Sequence, residues 1–242
     1  KQAELSGKLA PYIFGTHKGR PRFAYDGGRP KDLDNIPFPA WDLLDSDING
    51  YSVLEDYIKA PVWGTAASNS SATAFTMDRS LTMISSRGCP YRCTYCSSSV
   101  FGKKFRYASA RYVVDEIKHL IATYGTREIH FYDDDFTLHK QRAAEVCELL
   151  IKEKVKIDWS CTTRVNLVNP KLLSLMKKSG CWMISYGIET ADPEILITIQ
   201  KGYTNETVEK AFKWTKKAGI RTVAFLMVGL PGETKETIMN TV

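Results

Sequence analysis

From Leu81 onwards the chain alternates short apolar runs with amphipathic segments, and this alternation constrains the fold more than any other feature. The apolar runs have the length of strands, which are predicted at 81–85, 128–133, 157–162, 182–187 and 221–228. The segments between them have helical periodicity, which predicts helices at 109–124, 140–154, 170–179, 193–199 and 205–218. Alternating strands and helices indicate an α/β fold with parallel strands and right-handed crossovers, arranged as an open sheet or as a barrel.

Local signals at the ends of the predicted helices agree with these bounds. Gly125 and Gly219 directly follow two of the helices, as glycine often does at a helix C-terminus. Ser109 and Asn169 are suitable N-cap residues, and so is Thr204 or its neighbour. Ligands of parallel α/β folds bind at the carboxyl ends of the strands, so we expect functional residues directly after each strand.

The first 78 residues lack this periodicity. Glycine, proline and aromatic residues are dense over 27–41, which indicates an extended segment that wraps a surface. A short helix is expected within 42–58, and a loop or linker over 64–76, where small polar residues dominate. We therefore expect a linker or wrapping segment over 1–78 and a core domain over 79–242.

Both ends of the chain favour a fragment of a longer protein, because it starts without Met and stops within a predicted helix over 233–242. The net charge of +6 is mild and no block of Lys and Arg stands out, so a solvated surface is favoured over a nucleic-acid-binding one, with RNA not excluded. The apolar runs are too short to cross a membrane, and the N-terminus carries no signal peptide. A cytoplasmic location is therefore expected.

Three of the six cysteines, Cys89, Cys93 and Cys96, lie within eight residues, with the spacing Cys-x3-Cys-x2-Cys. Their thiolates can converge on one metal centre from a single loop, and soft thiolates select zinc or iron–sulfur centres. Structural zinc requires four ligands, and no fourth Cys or His lies nearby in the sequence. A cubane cluster with one open iron is therefore favoured, and a zinc-binding loop is the alternative. The other cysteines are expected to be small buried residues in a reducing compartment, namely Cys147, Cys161 and Cys181.

The cysteine spacing, with an aromatic residue before the last cysteine and in a loop after the first strand, resembles the radical S-adenosylmethionine (radical SAM) superfamily. The resemblance implies a partial (β/α)6 barrel of parallel strands, truncated here at its C-terminus and preceded by an extended linker segment. It also implies that the three cysteines hold a 4Fe–4S cluster whose open iron chelates SAM. In that family the reduced cluster cleaves SAM to a 5′-deoxyadenosyl radical, which abstracts a hydrogen atom from the substrate.

The acidic and basic residues after the next strands extend the resemblance. Asp133, Asp134 and Asp135 follow the second strand, where the family contacts the SAM amino group, and a charge cluster at a helix N-terminus is the alternative. Arg164 follows the third strand and is expected to pair with the SAM carboxylate or to form a structural ion pair. Glu189 lies in a Gly-Ile-Glu-Thr stretch similar to the family's Gly-Ile-Glu-Ser element, and we expect it to contact SAM.

Two further positions complete the predicted site: one lies in a glycine-rich stretch and the other is aromatic. Gly229 opens a Gly-Leu-Pro-Gly-Glu-Thr stretch that resembles the segment near adenine, and Glu233 in that stretch is expected to cap a helix. Tyr95 is expected to approach adenine, mainly through its backbone. No residue is assigned a catalytic role from the sequence.

The stretch over 33–42 is similar to the linker of cobalamin-dependent members of the family, so cobalamin is implied by resemblance only, its domain lying outside this chain. A methyltransferase is the working hypothesis, with cyclases as related possibilities, a small-molecule or lipid substrate, and a flavodoxin- or ferredoxin-type electron donor. A methylthiotransferase is one alternative, but it would carry three further cysteines before the core, and residues 1–78 contain none. A non-catalytic zinc or iron–sulfur binding module is the other alternative.

Overall fold

The computed structural model describes side chains and backbone over residues 30–44, 52–58, 79–97 and 101–242, and backbone alone over residues 13–17, 20–24 and 59. The chain divides into two compact units, Lys1–Asp32 and Leu33–Val242. In the first unit, β1 (Ile13–His17) and β2 (Arg20–Ala24) pair as an antiparallel hairpin. The sequence did not predict this hairpin, because neither strand shows the alternation of a half-buried strand. The predicted loop at 64–76 lies outside the described residues.

A parallel five-stranded sheet forms the centre of the second unit. Its strands lie in chain order, so each crossover leads to the neighbouring strand. They are β3 (Ser80–Met83), β6 (Glu128–Phe131), β7 (Asp158–Thr163), β8 (Cys181–Glu189) and β9 (Arg221–Leu226). The predicted α/β class is confirmed, and over the described residues the sheet does not close into a barrel.

The helices separate these strands as the sequence predicted, with every predicted strand and helix end within two residues of its observed position. They are α1 (Val53–Lys59), α2 (Ala110–Tyr124), α3 (Lys140–Lys152), α4 (Pro170–Lys178), α5 (Pro193–Thr198), α6 (Asn205–Lys217) and α7 (Lys235–Thr241). The Ser109 and Asn169 side chains accept hydrogen bonds at the first turns of α2 and α4, which confirms both N-caps. No helix in these described stretches combines the length and the apolar character that a membrane span requires.

One face of the sheet packs against the helices and forms the core. Ile129, Phe131 and Trp159 are fully buried there against side chains of α2 and α3 such as Val113 and Val146. Burial of this apolar surface is the main stabilising contribution to the unit. The same core contains the three remaining cysteines as buried free thiols, as predicted: Cys147, Cys161 and Cys181.

The segment that precedes the sheet lies across α2. Leu33 is buried, the Tyr112 hydroxyl donates to the carbonyl oxygen of Ile36 at 2.7 Å, and the Phe38 ring contacts the Tyr112 ring at 5.0 Å between centroids. The backbone N–H of Ser109 donates to the Asp34 carboxylate at 2.7 Å. These contacts show that the segment from Leu33 onwards belongs to the same compact unit as the sheet. The predicted domain boundary near residue 78 stays a prediction.

A short antiparallel ladder closes the base of the cysteine loop. β4 (Ser86–Arg87) pairs with β5 (Arg106–Tyr107), so the residues between them form one excursion from the carboxyl end of β3. Gly88 enters this excursion with a φ of 89°, and a Cβ there would lie 2.4 Å from the carbonyl oxygen of Lys104. Only glycine fits this position, because the conformation and the close approach both exclude a side chain.

Candidate metal and cofactor site

The three cysteines of the loop line a single cavity of about 220 Å³. Cys89 and Cys93 are half-buried, Cys96 is exposed, and all three thiols are free. The backbone N–H of Cys89 donates to Gly102 at 3.2 Å, which anchors the first cysteine to the returning limb of the loop. Burial and the neighbouring Asp135 raise the pKa of the Cys89 thiol to about 12, so a metal that binds there must displace a proton.

The three donors of the cavity are thiols, which as thiolates suit zinc or iron–sulfur centres. Over the residues that the structure describes, no three His, Cys, Asp or Glu side chains are placed to share one metal ion. Structural zinc would draw its thiolates to about 2.3 Å from one point. A cubane is instead held through different iron atoms, and three thiols that line one cavity are compatible with it.

The first carboxylate of the acidic triplet holds the loop in place. Asp133 is buried and accepts hydrogen bonds from the Ser85 backbone N–H, the Ser85 hydroxyl and the Ser86 hydroxyl, at 2.6, 2.6 and 2.7 Å. The Arg142 guanidinium lies 3.8 Å from the same carboxylate. These partners tie the end of β6 to the start of the cysteine loop, which is a positioning role, and contact of this residue with SAM stays a prediction.

The other two carboxylates face the cysteines. Asp134 is exposed and lines the cysteine cavity. Asp135 is buried, and its carboxylate accepts a hydrogen bond from the Cys89 thiol at 3.4 Å. Burial raises the pKa of Asp135 to about 7, although nearby Arg164 opposes this effect. Because α3 begins only at Lys140, with His139 as its N-cap, the triplet does not cap that helix.

Arg164 contacts the second cysteine of the loop. It is buried, and its guanidinium is 3.4 Å from the Cys93 sulfur and 3.8 Å from the centre of the Tyr91 ring. It also donates to the carbonyl oxygen of Lys201. Among the described residues no carboxylate lies within ion-pair distance of this guanidinium, so the structural ion pair is not formed there. A buried cation over an aromatic face is well placed to meet an anionic group.

Glu189 and Lys201 form a buried ion pair at the site. Glu189 ends β8 with a φ of 70°, and its buried carboxylate accepts from the Lys201 ammonium at 3.0 Å. The same ammonium donates to the Tyr95 hydroxyl at 2.7 Å. A Cβ at Gly187 would lie 2.7 Å from a Glu189 carboxylate oxygen, so the glycine leaves room for the pair. Burial and the Glu189 carboxylate raise the pKa of Tyr95, which keeps its hydroxyl protonated.

The turn after β9 approaches the site through an apolar cluster. Gly229 is exposed, has a φ of 95°, and donates its N–H to the Glu233 carboxylate. The N-cap of α7 is Thr234 rather than Glu233. The adjacent Leu230 is buried in a small cluster against which Tyr95 packs, and this contact brings the turn beside the cysteine loop.

The sequence did not single out three residues of the site, namely Lys201, Tyr91 and Tyr203. Lys201 follows α5 and precedes a glycine, as many surface lysines do, so its burial was not visible in the pattern. Tyr203 donates its hydroxyl to the carbonyl oxygen of Gly187 at 2.6 Å and thereby supports the strand end below Glu189.

Comparison with known proteins places this geometry in a family. Residues 83–242 match the family described as the Radical SAM superfamily, and the chain belongs to that family. The match begins at the last residue of β3 and includes the cysteine loop and every later element described above.

Two relatives align over most of the chain. It is 35% identical over 245 residues to an uncharacterized methyltransferase of Pyrococcus horikoshii, covering 100% of this chain and 47% of that protein. It is 33% identical over 213 residues to an anaerobic magnesium-protoporphyrin IX monomethyl ester cyclase of Rubrivivax gelatinosus, covering 87% of this chain and 34% of that protein. The chain therefore spans less than half the length of either relative.

A solved structure shares the fold. The radical S-adenosylmethionine methyltransferase TsrM from Kitasatospora setae, with cobalamin and a [4Fe-4S] cluster bound, superimposes with a TM-score of 0.61. Its sequence identity is 23%, and the match covers 66% of this chain and 33% of that one. This likeness supports the α/β architecture of the core unit.

Proposed function

We propose that the protein is a radical SAM enzyme in which Cys89, Cys93 and Cys96 hold a 4Fe–4S cluster and SAM binds beside it. The observation that carries the proposal is that these three free thiols line one cavity beside buried charges of both signs. When bound, the cluster and SAM together supply a 5′-deoxyadenosyl radical for hydrogen abstraction from the substrate.

The charges around the cysteines suit a zwitterionic ligand. SAM carries an ammonium and a carboxylate on one carbon, so it requires an anionic and a cationic partner close together. Asp134 offers an accessible carboxylate in the cysteine cavity, while Arg164 and Lys201 offer buried cations. Charge-assisted hydrogen bonds to such groups are roughly twice as strong as neutral ones. Asp133 holds the loop, and Tyr91 covers the Arg164 guanidinium.

We further propose that the reaction is a methyl transfer or a cyclisation that depends on cobalamin. This part rests on the activities for which the relatives are named and on the cobalamin bound in the structural neighbour. It also rests on the segment at 33–42, which is similar to the linker of cobalamin-dependent members of the family. The chain itself has no Asp-x-His-x-x-Gly cobalamin motif. A small-molecule or lipid substrate, a flavodoxin- or ferredoxin-type donor and a cytoplasmic setting belong to the same proposal.

Anaerobic reconstitution with iron and sulfide tests the cluster and SAM directly. We expect roughly four irons per chain and a reduced EPR signal that shifts when SAM is added. The Cys89→Ala, Cys93→Ala, Cys96→Ala variant should lose the signal, whereas Cys147→Ala, which removes a thiol from the core, should keep it. Stoichiometric zinc without a cluster or a SAM effect would instead support the non-catalytic metal-binding module.

A further inference from the structure

A second cavity lies between the segment at 33–41 and the edge strand β3. Its volume is about 210 Å³, and no described residue lines both this cavity and the cysteine cavity. Leu33, Ile36, Met83 and Ala108 give it an apolar wall. A cavity of roughly 150 Å³ is sufficient to bind benzene, so this one has room for a small organic molecule.

Three polar groups of this cavity lack the partners that buried groups normally have. Trp41 Nε1 and Arg87 Nε are buried, and neither has a hydrogen-bond partner in the part of the chain that the structure describes. Glu116 is only 5% exposed. Burial and the Asp133 carboxylate raise the pKa of Glu116 to about 7, and no described cation or hydrogen-bond donor opposes them. The carboxylate is therefore buried without compensation.

The three groups come from separate elements and meet only in the folded protein. Trp41 begins a short 3-10 helix, Arg87 lies in β4 and Glu116 lies in α2. Burial raises the pKa of the Tyr112 hydroxyl to about 12, Glu116 adds to this rise and Arg87 opposes it. Both charges therefore lie near that hydroxyl, on the wall of the cavity. They nevertheless form no ion pair with each other.

The pattern of charges defines the chemistry of a suitable ligand. Buried polar groups without a partner persist in proteins where water, an ion or a ligand completes them. A ligand with a single charge would attract one of Glu116 and Arg87 and repel the other. A molecule that carries both an ammonium and a carboxylate group meets the two charges at once, with charge-assisted hydrogen bonds.

We propose that this cavity is a binding site for a small zwitterion of the α-amino acid type. The Glu116 carboxylate accepts from the ligand ammonium, and Arg87 and the Trp41 indole N–H donate to the ligand carboxylate. The apolar wall receives the side chain of the ligand. The bound molecule connects the segment at 33–41 to the base of the cysteine loop, since both contribute to the cavity. The inference does not depend on a cluster or on SAM.

Three matched molecules test the class of ligand by calorimetry on the full chain. L-Valine carries both charges, 3-methylbutanoate lacks the ammonium, and 2-methylpropylamine lacks the carboxylate. We expect valine to bind at least about tenfold more tightly than either of the others, because each of them loses a hydrogen bond to a charged group. Valine should bind equally to the metal-free protein and to reconstituted protein saturated with SAM, because the cavity lies outside the cysteine site.

Substitutions of the three polar groups locate the bound valine. Glu116→Gln and Arg87→Gln should each weaken binding at least about tenfold, and Arg87→Lys, which keeps the charge, should weaken it less. Trp41→Phe keeps an aromatic ring without the N–H and should weaken binding about two- to tenfold. The matched controls are Asp115→Asn and Arg111→Gln, which remove the charges of an exposed ion pair on α2. Each control should change the affinity less than twofold.

Stability distinguishes a ligand site from a structural role of Glu116. Its pKa is about 7 in the folded protein against an ordinary value of 4.5, so the unfolded chain loses the proton first. The carboxylate therefore lowers stability as the pH rises from 4.5 to 7, and the effect stays complete above pH 7. At pH 7.5 Glu116→Gln should have an unchanged or higher midpoint of urea unfolding while it loses valine binding.

The outcomes decide the site independently of the proposed function. Equal affinities for the three molecules, or no binding of valine to wild type, would overturn the zwitterion site and leave ordered water in the cavity. Unchanged affinity in both Glu116→Gln and Arg87→Gln would place valine elsewhere on the chain and overturn it as well. If Arg87→Gln does not fold, Glu116→Gln and Trp41→Phe carry the test. Absence of the SAM-dependent EPR signal in wild type would sink the proposed function, while the metal-free titrations would still decide this site.

Discussion

Two of the groups of buried polar side chains in the parallel sheet are built differently. The first lies in the amino-terminal half, around Glu128. Its carboxylate accepts from the Ser80 hydroxyl at 2.7 Å and from the Trp182 indole N–H at 3.0 Å. His130 lies two residues along the same strand, with its Nδ1 2.8 Å from the Ser160 hydroxyl oxygen. The members come from neighbouring strands that are already in register.

The second group lies at the carboxyl edge, around Glu189. It contains two buried cations, Lys201 and Arg164, and the buried carboxylate of Asp135. Its members come from strand ends and loops, and two of them, Asp135 and Arg164, contact cysteine sulfur. Glu189 itself has a positive φ, which is uncommon for a residue with a side chain.

The comparison separates a structural network from a ligand site. Neutral donors satisfy the Glu128 carboxylate inside the sheet, so this group completes the fold without a ligand. The Glu189 group instead collects charges and an unusual backbone conformation, both of which are unfavourable unless something compensates for them. We therefore expect substitutions in the Glu128 group to change stability alone, and substitutions in the Glu189 group to change SAM binding as well.

The largest effect is expected for Lys201→Met. The change leaves the buried Glu189 carboxylate and the Tyr95 hydroxyl without their shared donor. Breaking a buried ion pair on one side lowers stability by roughly 3–5 kcal/mol, which urea unfolding measures. The SAM-dependent EPR shift should also disappear. The double variant Lys201→Met, Glu189→Gln should recover most of the stability but not the SAM response, and a retained response in the single variant would contradict a ligand role for this group.

The next effect is a pH dependence carried by His130 in the structural network. Burial lowers the pKa of His130 to about 4, against an ordinary value of 6.5 in the unfolded chain. The unfolded chain therefore binds a proton first, and stability falls as the pH drops from 6.5 to 4, by roughly 3 kcal/mol. Above pH 6.5 the contribution is complete.

His130→Gln isolates this effect. Burial also raises the pKa of Glu128, so the informative quantity is the difference in stability between wild type and variant. Urea unfolding of both proteins between pH 4 and pH 7.5 should show wild type losing its advantage on acidification. A difference that stays constant with pH would mean that the imidazole is hydrated in the folded protein. Iron content should be the same in both.

A smaller effect is expected for Gly187→Ala. The new methyl group would lie 2.7 Å from a Glu189 carboxylate oxygen and 3.2 Å from the Lys201 ammonium, so the ion pair must shift. Overpacking of this kind lowers stability by roughly 1–3 kcal/mol. We also expect SAM, titrated against the EPR signal, to bind more weakly.

Ser185→Ala is the matched control on the same strand. Ser185 is buried, and its hydroxyl has no hydrogen-bond partner among the described residues. Its removal should change stability by less than about 0.5 kcal/mol and leave the SAM titration unchanged. Equal effects of the two substitutions would mean that β8 tolerates no change, and that the Gly187 result says nothing specific about the ion pair.

The sequence by itself determined the bounds of the five parallel strands and of the helices between them, and it singled out the three clustered cysteines, because both depend on residues close together in the chain. Hydrophobic periodicity and capping residues act over a few positions, and Cys89, Cys93 and Cys96 share one loop. The N-caps at Ser109 and Asn169 are equally local.

Only the tertiary structure decided what each charged residue does. Asp133, Asp134 and Asp135 are identical and adjacent in the sequence, yet one holds Ser85 and Ser86, one lines the cysteine cavity and one accepts from a cysteine thiol. Lys201 has the local pattern of a surface lysine, and only the return of α5 beneath Tyr95 buries it. The physical reason is that burial and pairing of a charge depend on groups brought from distant parts of the chain, whereas periodicity and capping depend on neighbours in sequence.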